Sequence, residues 1–165
     1  MESESSPLPN IDKCKVLEED VAASICRDIC NGLQQIHRKN FIHRDMKPEN
    51  ILIDEKFLED GSQPTNPQEK YTAKIADFGL SAEVHSNVFH GHDNINEVMG
   101  TMLFMAPEQA TGQRYGKRVD MWALGIIVFQ MLTGKHPFYK SGDTEDSYTN
   151  RISKTELSKT LKIYF

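Results

Sequence analysis

The side chains with the most chemical potential stand in one octapeptide, His43-Arg44-Asp45-Met46-Lys47-Pro48-Glu49-Asn50. Between Asp45 and Asn50 it sets a carboxylate, an ammonium and a carboxamide, and Asp77-Phe78-Gly79 adds a second carboxylate further on. A carboxylate can accept a proton, an ammonium can meet an anion, and carboxylate and amide oxygens suit a hard cation. By itself, Asp45 also reads as a turn residue at a strand end. Other clusters are weaker. Cys26 and Cys30 have the spacing of half a metal site, but no second Cys/His pair stands at ligand spacing, so core thiols are expected. His85, His90 and His92 share a polar loop and read as exposed histidines.

The elements that must position the octapeptide follow from periodicity. Leu17, Val21, Ile25, Ile29, Leu33 and Ile36 recur at helical steps, so an amphipathic helix is expected from about Leu17. It should run through Asn31-Gly32 and stop at Lys39-Asn40. Phe41-Ile42 and Ile51-Leu52-Ile53 are short strand-type runs on either side of the octapeptide. Residues 54–72 carry loop chemistry, and Ala73-Lys74-Ile75-Ala76 resumes an extended segment. Met121–Leu132 is apolar on every face, which predicts a helix buried all round, stopped by Thr133-Gly134. A last helix is expected over Thr144–Ser153.

The octapeptide resembles the catalytic loop of eukaryotic protein kinases, and Asp77-Phe78-Gly79 resembles their metal-binding motif. Ala106-Pro107-Glu108 and Asp120-Met121-Trp122-Ala123-Leu124-Gly125 follow in the family's order. Residues 15–155 therefore resemble the C-terminal lobe of a serine/threonine protein kinase. Asp77–Ser81 and Phe104–Glu108 are loosely similar to the calcium/calmodulin-dependent group. The implied fold is mostly α with a few short β-strands (α+β), without an N-terminal lobe. Residues 1–14 are expected to form a flexible lead-in and 156–165 a tail or truncated continuation.

The resemblance implies ATP and Mg2+ as cofactors and phosphoryl transfer to a protein Ser or Thr. Asp45 would accept the hydroxyl's proton and Lys47 would reach the γ-phosphate. Asn50 and Asp77 would hold Mg2+, as that ion's preference for oxygen requires. Leu52 would floor the adenine, Glu49, counted with the cofactor-binding residues, would keep one of the two acids that basic-directed relatives use for a substrate Arg, and Gly79 completes the metal motif. His43 and Phe78 would stack to join the two loops, and Asp120 would hold the catalytic-loop backbone. Arg44 marks the class whose activation loop is ordered by a negative charge, and Glu97 stands where that class often has a phosphorylated Thr. Thr101 would hydrogen-bond Asp45 and Lys47, and Glu108 would pair with a later Arg. Gln130 stands where basic-directed relatives commonly carry a Glu.

Departures from the pattern matter equally. No Gly-x-Gly occurs, and the family's strand Lys and helix Glu have no counterpart in these 165 residues. The expectation is a truncated catalytic domain of low activity, or alternatively a non-catalytic kinase-like binding or regulatory module, with a partner protein covering the exposed cleft. Small-molecule phosphotransferases share a related loop but usually lack the Ala-Pro-Glu segment and the Asp-x-Trp-x-x-Gly helix. The net charge of −5 and the absence of a basic stripe speak against nucleic acid as partner. The start has no signal-peptide pattern, and the longest apolar run is far short of the roughly 20 residues that span a bilayer. Three cysteines form no disulfide framework. An intracellular protein is expected, cytoplasmic with the nucleus left open, and without a membrane partner.

Overall fold

The computed structural model describes residues 15–84, 95 and 97–154. The lead-in expected over 1–14, the histidines at 85, 90 and 92 and the tail expected over 156–165 lie outside them. Helix α1 (Glu19–Arg38) buries Val21, Ile25, Ile29 and Leu33 along its stripe. Glu19 and Asp20 open it and His37 and Arg38 close it, each sign matching the helix dipole at its end. Leu17, expected within the helix, precedes it: its N–H donates to Met131 O at 2.8 Å, which ties the chain to another helix before α1 begins. Asn40, with φ 58°, ends the run in a left-handed conformation that Asn tolerates. Gly32 does not interrupt it. A Cβ there would lie 2.9 Å from Ile75 Cδ1, so the glycine lets α1 approach a neighbouring strand.

Four short strands form two antiparallel ribbons. β1 (Phe41–Ile42) pairs with β4 (Ala82–Glu83). β2 (Ile51–Glu55) pairs with β3 (Tyr71–Ile75), with Ile51 opposite Ile75 and Glu55 opposite Tyr71. The expected loop over 54–72 is therefore shorter at both ends, because cross-strand pairing extends past the apolar residues that signalled the strands. Asp28 in α1 accepts the Ala73 N–H at 3.0 Å and fixes the β2–β3 ribbon on the helix.

Helix α3 (Arg118–Thr133) ends at Gly134, whose φ of 70° is the expected left-handed stop. Ala123, Leu124, Ile126 and Ile127 pack with α1, with Leu103 and Phe104, and with Tyr148 and Ile152 of α4 (Glu145–Lys154). The expectation of burial all round is overturned on one side. Met121 is 48% exposed, Leu132 is exposed, and a Cβ at Gly125 would meet nothing within 4 Å. Among the described residues no element covers that face. The mostly helical architecture with few short strands is as the sequence implied.

α4 is anchored by Arg151, which grips Asp143 through both guanidinium nitrogens. Beside it Tyr148 Oη and His136 Nε2 both donate to Leu103 O, at 2.7 and 2.8 Å. His136 Nδ1 accepts the N–H groups of Phe138 and Tyr139 at 3.1 and 3.0 Å, so the ring is neutral with its proton on Nε2. Burial pushes its pKa down to about 4, outweighing the opposite pull of the Leu103 carbonyl. The unfolded chain takes up this proton below about pH 6.5 and the folded one only near 4. Stability should therefore be full above about pH 6.5 and fall by about 3 kcal/mol as pH drops towards 4. His136→Asn keeps an acceptor for the two amides but does not titrate. Urea unfolding should find it less stable at pH 7 and flatter with pH between 6.5 and 4.

Candidate active site

The site starts from a carboxylate inside the helical core. Asp120, in the first turn of α3, is 1% exposed. Its Oδ2 accepts the His43 N–H at 3.0 Å and meets His37 Nε2 at 2.7 Å, while Oδ1 accepts the Arg44 N–H at 3.0 Å. A buried carboxylate is costly unless its lone pairs are used, and here three donors use them. The same bonds hold Arg44 at φ 70°, a left-handed conformation unfavourable for a long side chain. The chain turns sharply there and presents Asp45.

Asp45 is buried, and both its oxygens are engaged. Oδ1 accepts the Thr101 N–H and the Thr101 hydroxyl, each at 2.8 Å. Oδ2 lies 2.9 Å from Lys47 Nζ and 3.2 Å from Asn50 Nδ2. Lys47 Nζ also donates to Thr101 Oγ1 at 3.0 Å. Burial alone would raise the carboxyl's pKa, but the hydrogen bonds from Lys47 and Thr101 outweigh it and hold it below the ordinary value.

Asn50 is buried at the end of a single 3₁₀ turn, Pro48–Asn50, and its Nδ2 also donates to Asp45 O at 2.8 Å. Nδ2 is engaged in both of these bonds, and Oδ1 is the amide's acceptor oxygen. Asp77 sits in the next loop at φ 58°, exposed, with Oδ1 accepting the Gly79 N–H at 3.1 Å. A Cβ at Gly79 would stand 3.1 Å from that oxygen, so glycine suits the tight turn. The two loops are joined by Ala76 N–H to Asn50 O at 2.9 Å and by His43 Nε2 with Ala76 O at 3.0 Å. His43 and Phe78 meet edge to face, 5.2 Å between centroids at 62°, rather than stacking as expected. Asn50 Oδ1 and the Asp77 carboxylate are hard oxygen donors that fit Mg2+, which commonly takes few protein ligands. Among the described residues no group of three His, Cys, Asp or Glu could hold a metal.

Behind Asp45 stands a charge relay to the loop before Thr101. Arg44 Nε donates to Leu80 O and Nη1 to Glu97 Oε2 at 3.0 Å, with Glu97 largely exposed. Tyr115 Oη donates to Glu97 O at 2.9 Å. The structure thus brings Asp45, Lys47, Asn50 and Thr101 into one cluster, with Arg44, Glu97 and Asp120 behind it. Leu52 is 54% exposed on β2, and Glu49 is exposed. Glu108, in α2 (Pro107–Ala110), has no side-chain partner among the described residues. The sequence reading missed His37, Gln109 and Tyr115. Tyr115 could have been noticed as the single aromatic between Phe104 and Trp122; His37 and Gln109 gave no local signal.

A family model described as the protein kinase domain matches residues 4–164. The chain belongs to the protein kinase family. Several of its relatives carry serine/threonine names. Serine/threonine-protein kinase ste20 of Aspergillus oryzae is 35% identical over 135 residues, covering 82% of this chain and 14% of the relative. Serine/threonine-protein kinase pakA of Talaromyces marneffei is 33% identical over 165 residues, 98% of this chain and 23% of the relative. Mitogen-activated protein kinase kinase kinase mkh1 of Cytospora mali is 38% identical over 125 residues, 74% and 6%. These names differ from the calcium/calmodulin-dependent group that two short runs suggested. The chain spans less than a quarter of the length of these relatives.

Removing the Asp120 carboxylate leaves two buried backbone N–H groups without an acceptor, at about 1–3 kcal/mol each. Asp120→Ala should therefore lower unfolding stability by roughly 3–5 kcal/mol. Asp120→Asn, which keeps one acceptor oxygen, should lose less. Urea midpoints of the two variants check the order.

Proposed function

We propose that this chain carries the catalytic-loop part of a serine/threonine protein kinase, which moves the γ-phosphoryl group of ATP to a protein hydroxyl. The observation that carries this reading is the buried cluster in which Lys47, Asn50 and Thr101 all touch the Asp45 carboxylate. Asp45 orients the acceptor hydroxyl and takes its proton. Lys47 meets the γ-phosphate. Protein kinases generally use ATP and Mg2+; Asn50 and Asp77 would hold the ion, which neutralises charge on the transferring phosphate. Leu52 and Glu49 border the nucleotide, and Phe78 and Gly79 shape the Asp77 loop. Substrates are proteins, as the family implies, and an intracellular, cytoplasmic setting is part of the same proposal, supported by the free thiols of Cys26 and Cys30.

A second reading, a non-catalytic docking module, draws support from the exposed apolar surface at Leu52, Ile53 and Phe78. A partner protein would cover that surface, each large side chain gaining roughly 1.5–3 kcal/mol on burial. One experiment separates the two. The 165-residue protein alone, with Mg-ATP and a Ser/Thr peptide, should turn over far below the ordinary range of about 1–100 s⁻¹. Fused behind a kinase N-terminal lobe it should become active, and Asp45→Asn in that fusion should lose at least about 100-fold. A fusion indifferent to Asp45→Asn would leave the docking reading.

Glu97 is proposed as a permanent counter-charge for Arg44, supported by the 3.0 Å pair between them. An exposed pair contributes only about 0.2–1 kcal/mol, and its carboxylate carries less charge than a phosphate. In the fused protein, Glu97→Gln should lower activity several-fold; Arg44→Ala, which also gives up the bond to Leu80 O, should cost more, and Glu97→Gln should add little on top of it. Losses that multiply would show that Glu97 acts elsewhere.

A further inference from the structure

We infer that Gln109 is the positioning residue that fixes the Gly100-Thr101 turn on the catalytic loop. Its side chain is 2% exposed. Nε2 donates to Met99 O at 2.6 Å and to Arg44 O at 3.0 Å. One amide nitrogen, with its two protons, thus joins the carbonyl just before Gly100 to the carbonyl just before Asp45. Among the described residues no other donor reaches either oxygen, so without this amide two partly buried carbonyls would face each other unpaired.

The backbone at the junction is closely packed. Gly100 has φ 117°, and a Cβ there would lie 2.5 Å from Arg44 O and 3.3 Å from Gln109 Nε2. The two strands of chain touch, and only glycine with a donor beside it allows that approach. The next residue, Thr101, then lays its N–H and hydroxyl on Asp45 Oδ1, both at 2.8 Å. Gln109 acts through that placement. It sits in α2, directly after the Ala106-Pro107-Glu108 segment, so α2 is braced on the catalytic loop by this one side chain.

The functional meaning rests on the kinase reading of Asp45, but the test does not. In the 165-residue protein, Gln109→Met keeps the length and bulk of the side chain and removes the donor. Hydrogen exchange at the Thr101 amide should speed up by about tenfold or more. Ile152→Val, a core change in α4, serves as the stability control; with a comparable urea midpoint it should leave Thr101 exchange unaltered. Unchanged Thr101 exchange in Gln109→Met, or equal loosening by Ile152→Val, overturns the inference. If Gln109→Met does not fold, the unaltered protein decides. Its Gln109 side-chain amide protons should exchange much more slowly than those of exposed Gln35, and equal rates overturn the inference. An Asp45→Asn fusion of undiminished activity would sink the kinase reading while leaving these exchange results standing.

Discussion

The structure depends on one buried carboxylate. Asp120 sits in the first turn of the most apolar helix and accepts bonds from two consecutive backbone amides of a loop far away in sequence. Without them the chain has no reason to hold Arg44 in a left-handed conformation, and that conformation aims Asp45 into the cluster with Thr101. A hydrophobic contact could hold the loop near α3 but not orient it, because dispersion is non-directional while paired N–H groups fix both distance and angle. The energetic risk is an ion in a dry interior. It is offset by bonding both oxygens, with His37 Nε2 as third partner.

From Asp120 the order propagates through side chains that each make two or more bonds. Arg44 links Leu80 O in the Asp77 loop to Glu97 in the loop before Thr101, and Gln109 links its backbone to Met99. Asp45, Lys47 and Thr101 close a triangle of their own. Such networks are worth more than their separate pairs suggest, and they fail together when one member is lost. The scaffold beneath is ordinary by comparison: α1 and α4 on α3, with His136, Asp143 and Arg151 fastening the last helix.

What was legible in the sequence was legible for local reasons. The stripe of α1, the apolar runs of β1 and β2 and the Gly134 stop are periodic or punctuated signals that a short window contains. The octapeptide could be read because Asp45, Lys47 and Asn50 are neighbours in the chain as well as in space. Thr101 could be placed only through the family resemblance, since nothing near it in sequence names Asp45. His37 and Gln109 gave no local signal because they reach Asp120 and Arg44 over 83 and 65 residues, where composition carries no record of contact, and Tyr115 offered only its isolation as an aromatic. The all-round apolarity of α3 misled in an instructive way. It states that every face can be buried, but Met121 and Leu132 are exposed and a Cβ at Gly125 would meet nothing within 4 Å.

The electrostatics of Asp45 bear on the catalytic role proposed for it. A carboxylate held below its ordinary pKa by an ammonium, a hydroxyl and an amide is a weak base near neutrality. It cannot strip a proton from a serine or threonine hydroxyl in advance, since the mismatch in acidity is too large. In the proposed role it would fix the hydroxyl's direction and receive the proton once the oxygen has begun to bond to phosphorus and become acidic. In a loose transition state little negative charge has to build on the attacking oxygen, so a weak but well-placed acceptor suffices. The same hydrogen bonds that weaken Asp45 as a base make its position definite. The site therefore favours geometry over basicity, and its most consequential residues are those that hold the geometry: Asp120, Gly100, Thr101 and Gln109.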